Sequence, residues 1–257
     1  IAYAEFLNKT STTCEAAIIG EMHDEAKYLF ERFGFTTPKM IENADTYEAV
    51  ILVDASDLNG LEGRIAAEKV VEIVDHRKVH EANKFPNAKV QIELVGAAAT
   101  LIAEKFMEHE VEISREAATL LYGAVISNTL NFKGISTDRD VRAAQWLNQT
   151  AQLPDGFWKE LFIAKSDLSG EKLTERINGD YAWFVMGDKK LGIAQIEMIG
   201  AAALVAQREV DILEALKTQH KELRMLMPPE ITFGISFVEI IKEREALAAF
   251  KEVENRL

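Results

Sequence analysis

The sequence predicts an α/β fold, a mostly parallel sheet flanked by helices, followed by a smaller α+β domain. Two observations carry this. Short apolar runs end abruptly in charged residues, VILVD at Asp54 and VVEIVDH at Asp75 and His76, with helix-like stretches between them. Buried parallel strands and their crossovers read this way. From about residue 171 the pattern changes to DYAWFVM and KKLGIAQ joined across GDKK, the signal of a hairpin.

Taken in order, residues 1 to about 8 and Glu21 to about Phe33 read as helices, with a short strand in CEAAIIG. EAVILVD is the clearest strand; LEGRIAAEKV is helix-like and leads into VVEIVD. VQIELV is a third strand, which Gly96 turns into a long helix; Gly96 is expected to allow close approach of a ligand or a neighbouring helix. A further helix runs toward Asn128. STDRD caps the helix DVRAAQWLNQ, with Ser136, Thr137 or Asp138 able to meet its free N–H groups. NQTAQLPDG is polar, but FWKELFIAK after it reads as a helix packed back on the first domain. The boundary is therefore expected at 168 to 171, giving domains 1–168 and 171–257. In the second, two helices around 202 to 224, a strand at 231 to 238 and the terminal helix REALAAFKEVENRL follow the hairpin. Ile1 opens the sequence in what reads as mid-helix, so an upstream strand and loop are expected before it.

Composition narrows the function. The 257 residues hold 42 acidic and 29 basic side chains, a net charge of -13, so long nucleic acid and anionic membrane are disfavoured as partners. Cys14 is the single cysteine, which excludes an intrachain disulfide and a multi-thiolate zinc site and points to a reducing, cytoplasmic setting. No apolar stretch is long enough to span a bilayer.

Two neighbouring strand ends that finish in Asp54 and His76 would set a hard oxygen and an imidazole on one rim of the sheet, the donor set for a divalent cation. Asp75 alternates with His76 in direction and is better placed to orient a ligand. The bare pattern leaves Asp54 open between a turn residue and a ligand. His80 reads as a substrate contact or a spare exposed imidazole, and Lys133 and Arg139 as phosphate contacts or surface charges. His23, His109 and His220 read as solvated, Lys189 and Lys190 as turn residues, and Trp146 and Phe157 as core.

The ordered set VILVDAS, VVEIVDHRK, ELVGAAAT and GAVISNTLNFKGISTDRDVRAA resembles the DHH phosphoesterase superfamily. Within it the chain is most like the manganese-dependent inorganic pyrophosphatases and the prune-like exopolyphosphatases, and residues from 171 on resemble the second type of DHH-associated domain. The resemblance implies that Asp54 bridges two metal ions, that His76 is a ligand and that Asp75 supports it. Arg77 stands where the second His of the motif touches phosphate, as it does in DHR relatives. Asn128 occupies the place of a further metal-binding Asp, where it offers only a neutral oxygen. The implied cofactor is a pair of Mn²⁺ ions, with Mg²⁺ or Co²⁺ as alternatives.

The implied substrate is a small phosphoanhydride, pyrophosphate or short polyphosphate, hydrolysed in a cleft between the domains; some members are homodimers. Three departures leave other readings open. The family's HxNPDxD loop is unmatched and is attributed to residues before Ile1. Ala182 stands where pyrophosphatases carry a Lys, and the C-terminal Arg-Lys pair has no match in VENRL. A nucleotide phosphomonoesterase, an oligonucleotide phosphodiesterase or a catalytically weakened phosphate-binding protein are the alternatives.

Overall fold

The computed structural model describes residues 1–179, 181–186, 189–217, 223–227, 229–230, 235–236 and 239–240, of which 181–186, 189–193, 202 and the strands beyond 217 are described by backbone alone. Two compact units divide the chain, Ile1–Leu161 and Phe162–Leu257.

In the first unit α1 (Ala2–Thr10) precedes β1 (Ala17–Ile18), α2 (Asp24–Phe33), β2 (Lys39–Met40), β3 (Val50–Val53), β4 (Val70–Asp75) and β5 (Lys89–Ile92). Helices α3 (Ala98–Glu108), α4 (Arg115–Asn128) and α5 (Asp138–Ala151) follow, and α6 (Phe157–Lys165) begins in this unit and runs on past Leu161 into the second. Strands β3, β4 and β5 form a three-stranded parallel sheet in that order, and β1 pairs with β2 in a separate parallel pair. Under the sheet Leu52, Ile65, Val70, Ile73 and Phe85 form one buried cluster. Along β4 Val70 is buried and Val71 exposed, whereas the consecutive Ile73, Val74 and Asp75 are all buried, so the strand is covered on both faces where it approaches its C-terminal end.

Helix α3 is apolar nearly all round and is buried accordingly, with Leu101, Ile102, Ala103 and Phe106 at its centre. Phe106 meets Phe6 of α1 edge to face at 5.2 Å. Ser114 caps α4 by accepting from the Ala117 N–H, and Glu5 of α1 accepts from both the N–H and the hydroxyl of Ser114. Gly123 lets α2 approach α4, because a Cβ there would lie 2.5 Å from the Leu29 Cδ1. Phe157 opens α6 and packs against Tyr28 and Phe33 of α2.

Two expectations change in this unit. LEGRIAAEKV forms no α-helix: Gly60 and Gly63 sit at φ 74 and 70, and only Ala67–Lys69 winds, as a single 3-10 turn. Glycines in the left-handed region reverse the chain twice before it can settle into a helix, a backbone effect that the apolar spacing hides. Trp146 is half-buried and not a core residue, whereas Phe157 is buried.

The second unit contains α7 (Lys172–Gly179), β6 (Tyr181–Met186), β7 (Lys189–Gln195), α8 (Ala201–Lys217), β8 (Leu223–Met227), β9 (Pro229–Glu230), β10 (Ile235–Ser236) and β11 (Glu239–Ile240). The expected hairpin is present: β6 and β7 pair antiparallel from Tyr181 opposite Ala194 to Met186 opposite Lys189. Strand β8 joins β7 in parallel and β11 closes the order β11-β8-β7-β6, so the sheet is mixed. Leu173, Ile177, Ile196, Met198, Ile212 and Leu216 fill its core.

The two helices expected around 202 to 224 are one element, α8, broken by non-helical backbone at Arg208 and ending at Lys217, with β8 taking the rest. Arg208 reaches the Leu168 carbonyl and pairs with Asp211 at that break. Of the strand expected at 231 to 238 only Ile235–Ser236 is described, and the expected terminal helix and His220 lie outside the described residues.

Candidate metal centre

Because β3, β4 and β5 run parallel, their C-terminal ends share one edge of the sheet, where open α/β sheets place their chemistry. Asp54 is the first residue beyond β3. Its N–H donates to the Val74 carbonyl at 2.9 Å, so the ladder still holds it while its backbone has already turned to φ 61. Asp is one of the few non-glycine residues that enter this left-handed region, because its short side chain can bond locally.

Asp75 ends β4 with a side chain wholly excluded from solvent. Its carboxylate accepts from the Ser56 hydroxyl and, at 2.6 Å, from the N–H of His76; the Arg77 Nε stands 3.7 Å away. These donors satisfy a buried charge that would otherwise be costly. His76 turns the other way. Its Nδ1 lies 3.0 Å from the Val95 carbonyl just beyond β5, and a carbonyl can only accept, so Nδ1 carries the proton. Nε2 is left facing the Asp54 Oδ1 at 3.3 Å.

The hydrogen bond to Asp54 raises the His76 pKa above the ordinary imidazole value. Burial opposes the rise, and the Val95 carbonyl and the charges of Asp54 and Asp75 reinforce it. Ligating atoms of Asp54, Asp75 and His76 all lie within 4.8 Å of one another. Carboxylate oxygens beside an imidazole whose far nitrogen is fixed on a carbonyl are a donor set that fits a divalent cation.

The other predicted residues fall around this cluster or apart from it. Arg77 crosses the rim, donating to the Asp54 carbonyl at 2.7 Å and lying 3.5 Å from Asp57, with its side chain 42% exposed. His80 is exposed, and its Nδ1 accepts weakly from the Ala82 N–H. Asn128 is exposed at the end of α4, one residue before Thr129, whose methyl group crowds Gly96. Lys133 is exposed. Arg139 is engaged by Glu104 at 2.8 and 2.5 Å and by Glu93 at 2.7 Å, which ties α5 to α3 and to the end of β5. His23 and His109 are exposed, as expected of solvated residues.

Comparison with known proteins assigns the family. A DHHA2 domain matches residues 159–256. An Exiguobacterium protein assigned as a manganese-dependent inorganic pyrophosphatase is 32% identical over 78% of this chain and 66% of its own length. The manganese-dependent inorganic pyrophosphatase of Methanothrix thermoacetophila is 30% identical over 90% of this chain and 76% of its own length. The chain belongs to the DHH/DHHA2 family of family II inorganic pyrophosphatases. A crystal structure of a Methanococcus jannaschii protein assigned to family II inorganic pyrophosphatase superposes with a TM-score of 0.73 at 29% identity, covering 96% of this chain and 83% of that one.

Set in the family II pyrophosphatase family, a family of metal-dependent hydrolases, the cluster supports divalent-metal use. Two buried residues that sequence reasoning passed over lie near it, Ser56 bonded to Asp75 and Asp140 bonded to the Gly96 turn. Ser56, buried beneath Asp75, follows a strand as an ordinary turn serine would, and nothing local distinguishes it. Asp140 is the partner of Thr137 in a capping box, and the spacing Thr-x-x-Asp before an apolar run was a readable signal for it. Thr137, one of the three expected caps, is the N-cap of α5.

Proposed function

We propose that this chain hydrolyses a phosphoanhydride, pyrophosphate or short polyphosphate, with Mn²⁺ held at Asp54 and His76 and with Asp75 supporting His76. The observation that carries the reading is the convergence of His76 Nε2 and Asp54 Oδ1 at 3.3 Å on the sheet rim, with Nδ1 already committed to Val95. A divalent cation held there neutralises phosphoryl charge and promotes ionisation of water. In this reading Asp54 and His76 would hold the metal through a carboxylate oxygen and a neutral nitrogen, Asp75 orients His76 through its backbone N–H, and Asn128 would add a neutral oxygen for a second ion. Arg77, half-exposed on the rim, brings fixed multi-donor positive charge against a phosphate oxygen. The net charge of -13 supports a small phosphorylated anion over long nucleic acid as the substrate.

The reading is tested by phosphate release from pyrophosphate, tripolyphosphate and a nucleoside monophosphate in Mn²⁺, in Mg²⁺ and in chelator. Mn²⁺-dependent release from the two anhydrides is expected. Release from the monophosphate alone moves the substrate to phosphate monoesters, and no release from a folded protein that binds Mn²⁺ refutes hydrolysis.

A further inference from the structure

Asp140 is wholly buried, yet no part of the proposed chemistry uses it. Its carboxylate accepts the Gly96 N–H at 3.0 and 2.9 Å, the Thr100 hydroxyl at 2.6 Å, and the N–H and hydroxyl of Thr137 at 2.7 and 2.8 Å. Burial alone would raise its pKa, but the donors from Thr100, Gly96 and Thr137 outweigh that and hold it below the usual carboxylate value, so it is an anion at neutral pH.

The Gly96 N–H and the Val95 C=O belong to one peptide group. A trans peptide points the two in opposite directions. Asp140 therefore grips one end of the same amide whose other end accepts the His76 Nδ1–H. The amide has little room to turn. A Cβ at Gly96 would lie 2.5 Å from the Thr129 methyl, 2.8 Å from the Ile135 carbonyl oxygen and 3.1 Å from the Asp140 carboxyl carbon. Arg139, next in the chain to Asp140, clamps Glu93 on the near side of the same turn.

We propose that Asp140 is a positioning residue for the metal centre: its carboxylate fixes and polarises the Val95–Gly96 amide, which sets the His76 ring and strengthens Nε2 as a donor. Hydrogen bonds in series polarise one another, and partners behind a ligating histidine govern metal affinity. The inference rests on the proposed metal site, so the experiment separates the two. Mn²⁺ affinity of the full chain is measured by titration calorimetry for wild type, His76→Ala, Asp140→Asn and Thr100→Val, each checked for a cooperative melt. Thr100→Val removes one donor from Asp140 but leaves its charge and its bond to Gly96.

Asp140→Asn is expected to weaken Mn²⁺ binding about tenfold or more, and Thr100→Val to change it by less than about twofold, as its removed hydroxyl does not touch the amide. Wild-type affinity in folded Asp140→Asn, or equal losses in both variants, overturns the role of Asp140 while leaving the metal site standing. Unchanged affinity in His76→Ala overturns the metal site and the role of Asp140 with it. A readout in the wild type holds even where Asp140→Asn does not fold. On saturation with diamagnetic Mg²⁺, the Gly96 amide proton is expected to shift downfield beyond those of Ala97 and Ala98, and a shift no larger than theirs overturns the proposal.

Discussion

Replacing Gly96 with Ala should destabilise the first unit and loosen the proposed metal centre together. Carbon atoms in good contact stand about 3.5–4.0 Å apart, and the new Cβ would meet the Thr129 methyl at 2.5 Å. Rotating Thr129 does not relieve the Ile135 carbonyl oxygen at 2.8 Å, which is backbone, nor the Asp140 carboxyl carbon at 3.1 Å, which four donors hold. Overpacking a well-filled site costs about 1–3 kcal/mol, and a three-sided clash that includes backbone belongs at the upper end, about 2–3 kcal/mol. For a unit of this size each kcal/mol lowers Tm by about 2–4 °C, so a fall of about 4–12 °C is expected. Circular dichroism melts of the metal-free protein measure it, and calorimetry below the transition measures Mn²⁺ affinity, which should fall as the Val95 carbonyl shifts. Gly123→Ala is the contrast: the nearest atom to its Cβ, at 2.5 Å, is the end of the flexible Leu29 side chain and not backbone, and alanine gains about 1 kcal/mol of helix propensity in return. A Gly96→Ala protein that melts with the wild type would refute the reasoning.

Other consequences follow from the same contacts. Ser56→Ala strips a hydroxyl from a carboxylate with no access to water and should cost about 1.5–3 kcal/mol, seen as a lower urea midpoint; an unmoved midpoint would show that the bond to Asp75 carries no weight. Phe106→Ala empties the centre of α3 and should cost about 3–5 kcal/mol, with loss of cooperative unfolding as the observable and a wild-type transition as the contrary result. The pH dependence has a definite sign. Because the folded pKa of His76 is raised, its contribution to the stability of the metal-free protein is fully present below the ordinary imidazole value and is lost as pH rises through the folded value. Mn²⁺ needs the unprotonated ring, so its affinity should climb over that same interval. Parallel melts and metal titrations across it check both slopes, and affinity that falls with rising pH there would contradict the assignment of His76.

The sheet and its rim were legible because their signals are local. VILVD and VVEIVDH each contain a strand and the charged residue that ends it, so the parallel order of β3 and β4 brings Asp54 and His76 together almost automatically. The hairpin of β6 and β7 was equally plain, since apolar runs flank the GDKK turn signal, although Lys189 and Lys190, expected in the turn, pair within β7. LEGRIAAEKV misled because the positive φ of Gly60 and Gly63 is a backbone property that side-chain spacing does not report. Arg139 illustrates a different limit. Its charge left a phosphate contact and a surface role both open, and the carboxylates on α3 and after β5 that engage it lie 35 and 46 residues away in sequence. Ser56 and Asp140 act on partners 19 and 44 residues distant, so their importance emerges only once the chain has folded. The backbone carbonyl of Val95, which leaves no mark on the sequence at all, settles which nitrogen of His76 faces the site.

The most direct test of the account is phosphate release from pyrophosphate by the wild-type chain and by His76→Ala, at matched Mn²⁺ and with folding verified in both. Mn²⁺-dependent release by the wild type is expected, dropping in His76→Ala to the level seen in chelator. Equal release by the two proteins would contradict it, because hydrolysis would then proceed without the imidazole on which the proposed centre is built.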